Sequence, residues 1–207
     1  MEIAKNIVGL INTNLADILD YIDKESIVVY DFLRSRYKQI SEEPKKNTAN
    51  DYLFKFVYRT YYRLDNAGLT DDLKNKYFEL LDSKTIDLEI LLNKLYDIKS
   101  LRGYNTVQFS FATKLLHTIN NDLPVYDSYV AHIIDIKPSG TGKVQKISSC
   151  LKCYADLKDL YANLRVNDEM KALISKFKET FPEIADISDV KCIDFMLWAY
   201  GKLIKIK

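Results

Sequence analysis

At 207 residues, with 47% hydrophobic and 29% charged side chains, the chain is long enough to bury a sizeable core and falls outside the disordered and fibrous classes. A formal net charge of +1 excludes the overall basic excess of proteins that coat nucleic acid, so any such footprint must be a local patch. No apolar run approaches the roughly eighteen residues a membrane-spanning helix needs, Met1–Leu10 carries acidic Glu2 and no small-residue cleavage site, and an odd count of 3 Cys fits a reducing compartment. The expectation is a cytoplasmic protein with no membrane partner.

Only 6 Gly and 4 Pro punctuate the chain, which favours long helices over a turn-rich β fold. Ile3, Ile7, Leu10, Ile11, Leu15, Ile18, Leu19 and Ile22 recur at helical spacing and predict one helix. A second follows over Lys24–Ile40, with Arg34, Arg36 and Lys38 reading as a solvated, cationic helix end. Ser41–Asn50 is polar and broken by Pro44, the clearest linker. Asp51–Asn66 is aromatic-rich and predicts a helix stopped at Gly68. Its alternation of Tyr52, Phe54, Phe56, Tyr58, Tyr61 and Tyr62 with Lys55, Arg59 and Arg63 is read first as a core with a cationic edge, and second as a base-stacking surface.

Thr70 with Asp71 and Asp72 reads as a cap and acidic first turn. The helix they open runs through Leu81, and Ile86–Leu95 continues. Further helices are predicted over Asn105–Asn120, Asp127–Ile134, Lys143–Leu164, Asn167–Phe181 and, capped by Ser188, Ser188–Ile204. No strand-like alternation of useful length occurs. The fold class is all-α, an orthogonal bundle of roughly nine or ten helices. The whole chain, 1–207, is expected to form one helical domain, with a linker at 41–50 and lobes built from 1–43 plus 144–207 and from 51–136.

Two short stretches carry chemistry. In Val107–Asn120 the apolar residues cover most of the helix circumference, the pattern of a buried helix. Ser110, Lys114, His117 and Asn121 nevertheless share one narrow stripe. Either the stripe is the exposed face of an amphipathic helix, or Lys114 faces a partly desolvated groove. Desolvation there would lower its pKa and make the amine a nucleophile. The connector Leu123-Pro124-Val125-Tyr126 then delivers Asp127 to a helix start. Asp127 is a helix cap on any reading, and its return beside the preceding helix would also set a fixed anion near the lysine.

The run Phe109-Ser110-Phe111-Ala112-Thr113-Lys114, followed by Leu123-Pro124-Val125-Tyr126-Asp127-Ser128-Tyr129-Val130, resembles the helix-hairpin-helix superfamily of base-excision DNA glycosylases, and within it the archaeal 8-oxoguanine branch. The resemblance spans about thirty residues at the level of pattern. No Gly-hydrophobic-Gly hairpin precedes the lysine; Gly103-Tyr104-Asn105 stands nearby. The resemblance implies a helix-hairpin-helix-like fold with a groove between two helical lobes, and DNA as the partner. It makes Lys114 the nucleophile attacking C1′ and Asp127 the stabiliser of the oxocarbenium-like transition state, with the target base flipped into the groove. Ser110, His117, Tyr126 and His132 would line the substrate site. The implied chemistry needs no metal or organic cofactor. A competing reading is a non-enzymatic helical module that binds nucleic acid or protein in the same groove.

Ser139-Gly140-Thr141-Gly142-Lys143 is a candidate phosphate grip, with Gly140, Gly142, Lys143 and Lys146 as contacts, or else an ordinary flexible connection. It is not a P-loop, because Lys137 stands where a glycine is required and Val144 where Ser or Thr is required. Cys150-x-x-Cys153 has only Cys192 and two histidines as further ligands. The pair reads as small buried residues on a helix, and a four-thiolate iron–sulfur site is excluded.

Overall fold

The computed structural model describes residues 2–184 and 186–206. Eleven α-helices occupy them: α1 (Glu2–Thr13), α2 (Leu15–Tyr21), α3 (Lys24–Glu42), α4 (Tyr52–Tyr61), α5 (Asp71–Asp82), α6 (Leu88–Tyr96), α7 (Phe109–Ile119), α8 (Ser128–Ile134), α9 (Gly142–Val166), α10 (Asp168–Thr180) and α11 (Asp189–Ile206). Two 3-10 turns, Leu64–Asn66 and Pro182–Ile184, complete the order. No strand occurs among the described residues, and none of their helices is long and apolar enough to cross a membrane.

Helix starts follow local chemistry. Asp23, Asp51, Thr70, Asp87, Asp127 and Asn167 each cap the following helix by accepting a backbone N–H of its first turn. Ser188 does the same for α11 through Lys191 N, at 3.2 Å. The helix count exceeds the expected nine or ten because the single helix expected over Ile3–Ile22 breaks at Asn14. There Asn14 Nδ2 donates to Leu10 O and Thr13 Oγ1 to Gly9 O, both at 2.8 Å, so side chains occupy carbonyls at the helix end. The helix expected over Asp51–Asn66 ends at Tyr61, because Arg63 takes a left-handed conformation with φ 59°. The helix expected from Asn105 begins only at Phe109. The cationic end of α3 is solvated only in part: Arg34 pairs with Asp31 and Asp186 and Arg36 with Asp51, while Lys38 is exposed.

One contiguous buried cluster draws residues from all eleven helices. α11 is its hub, packing on α1, α2, α8, α9 and α10, while α7 lies on α5 and α6 and α4 lies on α3. The aromatic run of α4 divides by face. Phe54 and Tyr58 are fully buried, whereas Tyr52 and Phe56 are exposed. Tyr58 OH bonds Tyr77 OH at 2.8 Å and Thr118 Oγ1 at 2.9 Å, and Tyr77 OH donates to Phe111 O at 3.1 Å. These bonds tie α4 and α5 to α7, around the turns that carry Lys114.

The approach of α11 to α8 depends on a residue without a side chain. A Cβ on Gly201 would lie 2.8 Å from Tyr129 Cβ and 3.1 Å from Tyr129 O. In an exposed helix, Gly→Ala stabilises by about 1 kcal/mol. Here the added methyl meets the root of a side chain and backbone, and Gly201→Ala is expected to destabilise by about 1–3 kcal/mol. Urea denaturation measures the sign, and a stabilised variant contradicts the close packing.

Candidate functional site

Lys114 and Asp127 line one cavity of about 590 Å³. α4 supplies its wall through Tyr61, with Tyr62 and Arg63 just beyond the helix end, and α11 supplies Lys191, Asp194, Phe195, Trp198 and Lys202. Lys114 is half-buried. Its Nζ lies 4.9 Å from the centre of the Phe111 ring and 5.8 Å from that of Tyr62, and donates a long bond of 3.5 Å to Tyr62 O. Burial pushes the amine below the ordinary lysine value; Asp127 and Asp194 oppose that shift, and Lys191 and Arg63 add to it. Lys114 forms no ion pair within 4.0 Å among the described residues. A lysine so placed combines a weakened hold on its proton with open space in front of it, which nucleophilic attack requires.

Asp127 is set by its own helix. Its extended backbone (φ −118°, ψ 153°) precedes α8, and its carboxylate accepts Tyr129 N at 2.8 Å. The connector that delivers it is bonded at nearly every step. Tyr126 N donates to Thr113 Oγ1 at 3.0 Å, and Tyr154 OH to Pro124 O at 3.3 Å. His117 Nδ1 lies 2.7 Å from Leu123 O. Because a carbonyl only accepts, that nitrogen carries the proton, and Nε2 accepts from Tyr30 OH at 2.9 Å. Asn121 Nδ2 donates to Tyr30 OH at 2.9 Å, and Ser188 Oγ to Asn121 O at 2.7 Å.

The other residues expected at the site do not join the cavity lining. His117 has no exposed surface and belongs to the network just described. Burial, then the charge of Lys191, lower its pKa to about 3, against the bond to Leu123. Ser110 is half-buried outside the cavity, and His132 is exposed on α8. Tyr126 serves as an anchor: its ring lies 4.4 Å from that of Phe109 and its hydroxyl donates to Ile136 O. The stripe is therefore not an exposed helix face. Lys114 alone of its four residues opens into the cavity.

The glycine loop also lies outside the cavity lining. Gly140 and Gly142 take φ of +94° and +70°, and the amide of Thr141 already bonds Gln145 Oε1 at 3.1 Å. Lys143 is paired with Asp97 at 2.6 Å, while Lys146 is exposed. Cys150 and Cys153 are buried on α9, and burial pushes the Cys150 thiol up to about 12. No cluster of three or more His, Cys, Asp or Glu side chains suited to a metal occurs among the described residues.

The residues that sequence reading missed lie on α11. Lys191, Asp194, Trp198 and Lys202 sit at i, i+3, i+7 and i+11, a one-face stripe of the same kind as the i, i+4, i+7, i+11 stripe that singled out Lys114. Two oppositely charged residues inside the apolar run Val190–Trp198 are the signal that would have found them. Lys191 and Asp194 are 4% and 5% exposed and paired at 2.5 Å. Lys191 Nζ also lies 4.4 Å from the Phe195 ring and 4.9 Å from that of Tyr30.

No family model, curated protein or solved structure matches this chain.

The buried imidazole has a consequence for stability. Its folded pKa of about 3 lies below its unfolded value near 6.5. The unfolded chain alone takes up this proton, so the contribution is complete above about pH 6.5 and declines as the pH falls toward 3. Between about pH 6.5 and 5, above the ordinary carboxylate range, unfolding free energy should fall by up to about 1.4 kcal/mol per pH unit. His117→Gln should flatten that segment in denaturant titrations, and an unchanged slope in the variant contradicts the assignment.

Proposed function

We propose that the chain is a DNA glycosylase-like enzyme that cleaves the N-glycosidic bond of a damaged or modified base through a Schiff base on Lys114. One observation supports the reading above the others: a partly desolvated lysine without a counter-ion and a helix-capping aspartate line the same cavity. In this mechanism the Lys114 lone pair attacks C1′ of the flipped nucleoside. The C1′–N bond breaks, and the base departs with its electron pair and takes up a proton. On this reading Asp127, which lines the same cavity as Lys114, stabilises the positive charge that develops on C1′ and the sugar oxygen. The sugar then opens to an iminium on Lys114, which water releases or β-elimination carries on to a strand nick. Tyr61, Tyr62 and Trp198 supply aromatic surface for an unstacked base, and Arg63 and Lys202 supply cations for the backbone.

The competing reading, a binding module that uses the same groove without chemistry, draws on the net charge of +1 and on the pairing of many cations with acidic neighbours.

Borohydride trapping on duplexes carrying an abasic site or 8-oxoguanine separates the two. The wild type is expected to form a covalent adduct and Lys114→Gln none. Asp127→Asn is expected to slow trapping by about 10²–10³, the cost of losing one preorganised electrostatic partner. Absence of both adduct and base release on every lesion tried would falsify the enzymatic reading in favour of the binding module.

A further inference from the structure

Two carboxylates, Asp127 and Asp194, and two buried or half-buried lysines, Lys114 and Lys191, line one cavity. Only one ion pair forms between them. Lys191 holds Asp194 at 2.5 Å, whereas Asp127 is turned to the Tyr129 amide and Lys114 pairs with neither acid. A buried ion pair is a poor device for stability, because desolvating both charges offsets most of their attraction. Its presence in the cavity wall therefore calls for another role.

We propose that Lys191 is a positioning residue: by capturing the Asp194 carboxylate it denies Lys114 a counter-ion, and so leaves the Lys114 amine free to shed its proton and act as a nucleophile. The inference deepens the Schiff-base reading and rests on it for its functional meaning. Its physical content, competition of two lysines for one acid, stands on the cavity that Lys114, Lys191 and Asp194 share and on the Lys191–Asp194 pair within it.

The charges around Lys114 fall into two sets. Asp127, at the start of α8, and Asp194, on α11, favour its ammonium form; Lys191, on α11, and Arg63, beyond α4, disfavour it. Lys202 lies in the same cavity. Lys191 itself stays charged. Burial works against its ammonium, but Asp194, Tyr62 and Tyr30 outweigh burial and push its pKa up. Its cation is clamped over the Tyr30 and Phe195 rings, which leaves it little freedom to release Asp194. Without Lys191, Asp194 would be a buried, unpaired anion with half-buried Lys114 a remaining cation in the same cavity, and an ion pair between them would hold the proton on the nucleophile.

The test reads the free amine without DNA. Pulses of acetic anhydride between pH 6 and 11 label Lys114 in proportion to its unprotonated fraction, and peptide mass spectrometry follows the rate. Lys191→Met is expected to raise the apparent pKa of Lys114 by about one unit, so that labelling near pH 8 slows about tenfold. Asp194→Asn should shift it the opposite way. The double variant Lys191→Met/Asp194→Asn should lose the alkaline shift, and Lys191→Arg should titrate like the wild type. General loosening of the fold cannot produce opposite shifts that cancel when combined. A Lys191→Met protein with an unmoved Lys114 titration overturns the proposal, as does an alkaline shift that survives in the double variant. If circular dichroism shows that Lys191→Met does not fold, Asp194→Asn decides: an acid-shifted titration supports the proposal and an unmoved one overturns it. Borohydride trapping on an abasic duplex, run alongside, tells the two failures apart. A wild type that traps nothing but shows the expected labelling shifts defeats the Schiff-base reading and leaves the competition for Asp194 standing.

Discussion

The segment Asn120–Asp127 has to cross the face of α7 with its backbone groups satisfied, and the geometry of the cavity depends on how that is done. A buried N–H or C=O without a partner costs on the order of 1–3 kcal/mol. Side chains from α3, α7 and α9 meet that requirement, with His117, Thr113 and Tyr154 bonding the connector directly and Tyr30 holding His117 and Asn121 from behind. Ser188 then ties Asn121 O to the start of α11. These bonds fix where Asp127 emerges relative to Lys114, and they place α11 against the same connector. His117 can do this only as a neutral imidazole, a donor at one nitrogen and an acceptor at the other.

Against this scaffold the cavity is organised around separation of charge. Lys114 is partly stripped of water and rests on the faces of Phe111 and Tyr62, an environment that accommodates a cation without the strong hold of a carboxylate. Each acid in the cavity wall has another partner, a backbone amide for Asp127 and Lys191 for Asp194. Such an arrangement is costly for the fold, since it leaves one half-buried amine uncompensated and sets a desolvated ion pair into the core of α11. The surrounding network of Tyr58, Tyr77 and Thr118 fixes the α7 backbone that carries the amine, with Thr118 Oγ1 donating to Lys114 O.

Local features were legible from the sequence. The caps at Thr70, Asp127 and Ser188 needed only an oxygen-bearing side chain before an apolar period. The all-helical class followed from periodicity and from scarce glycine and proline. Boundaries were less legible: the break at Asn14 and the left-handed turn at Arg63 arise from side-chain hydrogen bonding and from packing that no window of hydropathy records. Lys114 and Asp127 were both marked, because each stands out on its own element. Lys191, Asp194 and Trp198 were not, since α11 is apolar nearly throughout and its one polar stripe reads as incidental until α8 and α4 close over it.

By itself the sequence determined which segments are helical, where most of them start, and that a lysine and an aspartate flank a short proline-containing connector. These are properties of residues within a few positions of one another, governed by backbone hydrogen bonding and side-chain period. Tertiary structure decided which members of the Ser110–Lys114–His117–Asn121 stripe face a cavity and which enter the core. Periodicity specifies a helix face and not what covers it. Here α3 and the connector cover His117, while α4, α8 and α11 leave open space in front of Lys114. The pairing of Asp194 with Lys191 rather than with Lys114 was likewise settled only by folding, because competition among buried charges depends on distance and dielectric, and these exist only once the helices have packed.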